Sequence, residues 1–254
     1  VTVRIDQSDG DGDRTRAADS TGAADALDAP DTRDAADESD AMGAQSVHVT
    51  RTFEYRATVD AEYRAHAIDQ AYGKISEIER GTVTPAMCRI EAEDPERHLA
   101  GLENSLKGKD RLTEKVEFDV AKKGRTVDQA LSNVKDAIRY TFCYNEASYT
   151  EGVNADCNRL TVGGFDLVER QNSWDKEQYK GINSRWRSEE GQLFEVQFHT
   201  QASLDAKEET HWAYEKLRVG VPTQAEQREL EDYQTRITAR VPIPPGSRDI
   251  PGYP

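Results

Sequence analysis

The sequence predicts an α+β fold: a mixed β-sheet containing an antiparallel hairpin, flanked by helices. Three observations lead there. Segments whose apolar residues alternate with period two are interleaved with segments of helical period. Two alternating segments, INSRWR (182–187) and QLFEVQFHT (192–200), flank the turn signal EEG (189–191), so 182–199 reads as a β-hairpin. No GxGxxG or GxxxxGK[ST] pattern occurs, which leaves a doubly wound parallel sheet with a glycine-rich phosphate loop without support.

In chain order, residues 1–46 are rich in Asp, Ala, Gly, Ser and Thr and nearly free of large apolar side chains. Such a segment cannot bury enough apolar surface to offset its ordering entropy and reads as a disordered acidic tail. The main domain is expected over 47–241. VHVTRTFEYRATV is short and partly alternating. The following stretch carries Tyr63, Ala67, Ile68, Ala71, Ile75 and Ile78 near helical spacing, with Gly81 suited to the stop. Residues 92–106 look helical, with Pro95 in the first turn. A helix through Leu112, Val116 and Val120 ends at Gly124. Residues 126–142 start as a helix capped by Thr126 and change to strand period at Ile138, Tyr140 and Phe142. A polar loop leads to a strand around 165–170, then the hairpin, then helices over 203–218 and 225–241. Residues 242–254 form a Pro-rich extended tail.

The chain has 254 residues, 36% hydrophobic and 32% charged, with net charge −15, about half of it in the first 46 residues. This acidity argues against a broad basic nucleic-acid surface and leaves room for a small basic pocket. No apolar run reaches the ~18 residues of a spanning helix, and no signal-peptide pattern is present. The first residue is Val1 and not Met, as in a processed product or a fragment. Cys88, Cys143 and Cys157 lack zinc spacing. They are either three reduced thiols or include a Cys143–Cys157 disulfide closing the loop between two strands, which would require an oxidising compartment. His48, His66 and His98 show no ligand spacing. His211, Trp212, Trp174 and Trp186 read as packing residues.

Four stretches carry chemistry. In SLKGKDR, Lys107, Lys109 and Arg111 place several cations in one turn around Gly108, which suits polyphosphate. In VKDAIRYTF, Asp136 sits where a helix runs into a strand, placed to hold Mg²⁺ through oxygen. In YKGINSRWR, Tyr179, Gly181, Asn183, Arg185 and Arg187 share one strand face, and a ring beside a glycine offers a base platform. In FEVQFHT, Phe194, Val196 and Phe198 face the core, while Glu195, Gln197 and His199 line the other face. There Glu195 could serve as metal ligand or general base.

The order of these pieces resembles the RelA/SpoT synthetase family: a basic loop, D-x-I-R at a helix–strand junction, Y-x-G-x-N, E-x-Q-x-x-T, then the helix AKEETHWAYEK (206–216). The resemblance covers roughly 100–218. It departs at Gln178 for a Gly, Asn183 for a His, His199 for an Arg and Ser105 for an Arg, and the Arg139 spacing is short. These departures resemble the divergent branch of secreted nucleotide 3′-pyrophosphokinases and toxin synthetases of adenine alarmones, (p)ppApp.

The resemblance implies a nucleotidyltransferase-like synthetase that moves the β,γ-pyrophosphate of ATP to the 3′-hydroxyl of a purine nucleotide, with Mg²⁺ and release of AMP. It implies donor phosphates on Ser105, Lys107, Lys109, Arg111 and Arg139, and metal on Asp136 and Glu195. The acceptor falls on Tyr179, Lys180, Asn183, Gln197 and His199, and Glu195 is the base. Secretion or export follows from the same branch; a cytoplasmic location is the alternative. Other open readings are a catalytically degenerate nucleotide-binding module, pyrophosphate transfer to tRNA through Arg185, Arg187 and Lys216, and a toxin ADP-ribosyltransferase.

Overall fold

A computed structural model describes residues 38–220 and 222–254, with side chains from residue 58 onward. Tyr55–Pro254 forms one compact unit. The expected disordered tail lies outside the described residues as far as 37, and helix α1, Glu38–Ile78, begins inside its remainder. The partly alternating stretch after 47 belongs to the same helix.

Gly81 does not stop the chain. Helix α1 runs through a π-helical turn, Glu79–Val83, into α2, Thr84–Ala92. Pro85 has no N–H to continue the ladder, and the turn widens just ahead of it. The helix expected over 92–106 is absent. Strand β1, Arg97–Ala100, and a short 3₁₀ turn, Leu102–Asn104, stand there instead. Tertiary pairing overrides propensity: β1 lies antiparallel on β2, and the buried Arg97 is anchored to Asp156 at 2.8 Å.

Helix α3, Lys109–Lys123, ends at Gly124 in the left-handed conformation (φ 62°). Helix α4, Val127–Ser132, opens with a capping box of Thr126 and Gln129. Strand β2 is Arg139–Tyr144. The stretch expected to be a polar loop holds helix α5, Tyr149–Val162, and of the two readings of the cysteines the reduced one stands: all three are free. Tyr149, Val153, Cys157 and Leu160 recur at helical spacing and are buried, a stripe that the surrounding polar residues hide in the sequence. Strands β3, Asp166–Asn172, β4, Ile182–Arg187, and β5, Leu193–Thr200, precede helices α6, Gln201–Val219, and α7, Gln224–Thr238.

The five strands form one mixed sheet in the order β1-β2-β5-β4-β3. β2 and β5 are parallel, and every other pair is antiparallel. Tyr140, Phe142, Tyr144, Ile182, Trp186, Phe194, Val196 and Phe198 fill the apolar face and join α2 and α5 in one core. Ser184 survives there because its hydroxyl donates to the Val196 carbonyl at 2.9 Å and accepts from Trp186 Nε1 at 2.8 Å. Trp174 and Trp186 are core residues as expected. Trp212 is instead exposed on α6, its ring 5.3 Å from that of Tyr233, and His211 beside it is also exposed. The C-terminal residues are fastened to the free edge of β3, where Arg170 bridges Tyr253 and Asn172 donates to the Ser247 and Ile250 carbonyls. Among the described residues no helix is long and apolar enough to cross a membrane.

Candidate active site

The hairpin register lays the polar residues of three strands on one face. Arg185 pairs with Glu195 and Asn183 with Gln197 across β4 and β5. Arg139 pairs with Glu195, Thr141 with Gln197 and Cys143 with His199 across β2 and β5. Glu195 therefore lies in a cross-strand row between two arginines. Arg185 is ion-paired to Glu169 of β3. The amide of Gln197 donates to Glu195 Oε1 at 2.5 Å, and Gln197 is itself buried.

Asp136 sits in the turn before β2, and two lysines hold it: Lys115 Nζ at 2.5 Å and Lys107 Nζ at 3.1 Å. Burial pushes its carboxyl up, but the hydrogen bonds and charges of Lys115 and Lys107 outweigh that and hold it at about 2. That lies below the ~3.9 of an unfolded aspartate. The pair thus stabilises the fold above the unfolded value, and that contribution is lost as pH falls through about 2. A carbon-detected NMR titration is expected to place Asp136 near 2, and Lys115→Met to move it upward. An unmoved titration would contradict the pairing.

The predicted loop cations separate. Lys107 faces Asp136, Lys109 turns to Asp69 of α1 at 2.6 Å, and Arg111 is exposed, its charge reaching Glu215 of α6. Ser105 is buried, and its hydroxyl donates to Glu79 of the π turn at 2.8 Å. Lys180 donates to the Trp174 and Lys176 carbonyls and so ties down its own loop.

Tyr179 is half-buried. Its hydroxyl donates to Asn183 Oδ1 at 2.7 Å and lies 2.9 Å from His199 Nε2. Burial, with the Glu195 charge adding, pushes that hydroxyl well up, so it stays protonated. His199 is fully buried, and its Nδ1 meets the Ser203 hydroxyl at 2.8 Å. Burial, then the nearby Lys207 charge, depress His199 to about 3, so it is neutral. His199 thus braces the Tyr179 hydroxyl from beneath. The Cys143 thiol is pushed up to about 11 by burial and by Asp205.

Gly181 makes this arrangement possible. Its φ is 145°, and a Cβ there would meet His199 Cε1 at 2.7 Å and Nδ1 at 3.0 Å. Gly181→Ala is expected to cost ~1–3 kcal/mol from strain alone and to displace His199 from Tyr179. Urea unfolding, together with the His199 ring resonances, checks this.

Two contributors escape the motif reading, Lys115 and Lys207. Lys115 lies one helical turn beyond Arg111, a spacing visible in the sequence. Lys207 of α6 donates to Gln197 Oε1 at 2.5 Å, a contact that only the return of α6 over the sheet creates.

The site suits a Mg²⁺ ion brought by phosphates. That ion keeps several waters and takes one or two protein carboxylates. Asp136 and Glu195 are the carboxylates that could serve it, and among the described residues no group of three or more His, Cys, Asp or Glu could form a protein cage.

No protein-family model matches the chain, and no curated protein matches it. Solved structures do. The type VI effector Tas1, in complex with its immunity protein, is 17% identical over 68% of this chain and 95% of its own, with a TM-score of 0.48. A GTP pyrophosphokinase family protein from Streptococcus pneumoniae is 16% identical over 68% and 84%, with a TM-score of 0.41. Small alarmone synthetase 1 from Bacillus subtilis, bound to its product pppGpp, is 15% identical over 69% and 88%, also at 0.41.

Proposed function

We propose that the chain is a pyrophosphokinase that transfers the β,γ-pyrophosphate of ATP to the 3′-hydroxyl of a purine nucleotide and releases AMP. The observation that carries this reading is the cross-strand row Arg139–Glu195–Arg185, which seats a carboxylate among cations at the partly exposed end of the polar face. Asp136 and its two lysines stand at the turn that feeds β2. The motif order that resembles RelA/SpoT synthetases supports the same chemistry.

The roles follow from the placement. Lys107 and Lys115, with Lys109 and Arg111 at the rim, take the donor phosphates and in doing so release Asp136. Asp136 and Glu195 would hold Mg²⁺, which when bound neutralises charge on the phosphoryl oxygens. Tyr179, fixed by Asn183 and His199, presents its ring to the acceptor base. Glu195, oriented by Gln197, takes the proton of the 3′-hydroxyl as its oxygen attacks the β-phosphorus. Ser105, Lys180 and His199 act by holding the loop, the turn and the tyrosine. Catalysis is then mostly positioning and charge neutralisation.

Incubation with ATP, Mg²⁺ and each nucleotide in turn, resolved by anion exchange, tests this. AMP and a 3′-pyrophosphorylated acceptor are expected. Nucleotide binding without AMP would leave only a binding module, and nicotinamide release from NAD would point to ADP-ribosylation.

A further inference from the structure

Lys207 reaches from α6 onto the polar face of the sheet, where its Nζ meets a neutral amide, Gln197 Oε1, at 2.5 Å. An ammonium has three donors, so two remain. Among the described residues Lys207 forms no ion pair, and the Arg139 guanidinium forms neither an ion pair nor a hydrogen bond. Gln197 pairs with Thr141 and Glu195 with Arg139 on β2, so the ammonium on Gln197 stands one cross-strand row from Arg139. Burial pushes Lys207 down to about 8, with Arg139 adding to the effect while Glu195 and Glu208 oppose it. The groups that face the ammonium are therefore Arg139 on β2, Glu195 and Gln197 on β5 and Glu208 on its own helix. His199 of β5 also feels its charge. A half-buried cation beside a second one, with no acidic group in contact, is costly to hold unless an anion arrives.

We propose that Lys207 and Arg139 form a seat for the phosphoryl group in transfer, binding its non-bridging oxygens beside Glu195. This rests on the pyrophosphokinase reading and adds to it a cation outside the basic loop. In the transfer the acceptor 3′-oxygen forms a bond to the β-phosphorus. The bond from that phosphorus to the α,β-bridging oxygen breaks, AMP leaves with that oxygen and its electron pair, and Glu195 carries the proton. Placed on those oxygens, the two cations stabilise the charge spread over them while the bonds exchange, and so act in the transition state more than in binding.

Two measurements on the full chain decide it. With ATP, Mg²⁺ and an acceptor, Lys207→Met is expected to lower kcat by ~10²-fold with little change in KM, and Lys207→Arg to recover most of the loss. Titrated with inorganic pyrophosphate, a Lys107→Met/Lys115→Met variant is expected to keep one site, which added Lys207→Met weakens measurably. Wild-type kcat in Lys207→Met, or pyrophosphate binding indifferent to that change, overturns the seat. AMP release by a fully active Lys207→Met chain would sink the seat and leave the pyrophosphokinase reading standing. A wild-type chain that releases no AMP yet binds pyrophosphate through Lys207 would do the reverse.

Discussion

Glu195→Gln is expected to lower AMP release by at least ~10²-fold, the lower end of what a general base contributes. The substitution is nearly isosteric. A glutamine at 195 can still accept from the Gln197 amide through its oxygen, so the contact now made at 2.5 Å need not be lost. The loss should therefore appear in kcat while the melting temperature holds. Asp136→Asn should have a comparable effect by another route. It removes the charge that Lys115 and Lys107 now neutralise, and with it one of the two carboxylates available to Mg²⁺. Turnover at the wild-type level in either variant would refute the assignment of that residue.

The second large effect concerns stability. Phe198→Ala is expected to cost ~3–5 kcal/mol, the usual range for an aromatic core deletion. Phe198 has no exposed surface, and its ring stacks on that of Phe142 with centroids 6.3 Å apart and 12° between planes. Its carbonyl accepts from the Tyr149 hydroxyl at 2.9 Å, which joins α5 to the central strand. Gln197 and His199 flank it on the opposite face. Loosening this position should weaken the Tyr179 brace along with the core. Urea unfolding with an unchanged slope would report the stability term cleanly. A loss under ~1 kcal/mol would mean that the site collapses around the missing ring more completely than such cores do.

The hairpin was legible because both strands carry a period-two pattern, broken only at Ser184 and Leu193, and meet at an EEG turn. Its register, and with it the Arg185–Glu195 and Asn183–Gln197 pairs, follows from that alternation. The capped start of α4 and the glycine end of α3 were legible for local reasons, a hydroxyl before a helical run and a glycine after one. Strand β1 was not. RHLA has neither length nor alternation, and it is a strand because β2 offers an edge and Asp156 a partner for Arg97. Helix α5 was missed because its apolar stripe is carried by tyrosine, valine, cysteine and leucine among acidic and amide residues. Within the site, Glu195, Asp136 and Tyr179 could be singled out from residue type and local period. His199 could be placed on the right face but not at the right depth, since period says nothing of what covers a face. Lys207 was invisible for the same reason.

The parallel pairing of β2 with β5 also sets the order in which the molecule can become complete. The carboxylate and the arginine that flanks it on β2 are far apart along the chain, and the whole β3–β4 hairpin must be made between them. A nascent chain that has emerged only as far as Arg187 already possesses every loop cation, Asp136 and Tyr179, yet has no Glu195 to pair with Arg139. Such non-local strand pairing is slow to form. Truncations that end before β5 should therefore lack both the joined sheet and the core residues Phe194, Val196 and Phe198, and structure and competence should arrive together in a single step as β5 inserts between β2 and β4.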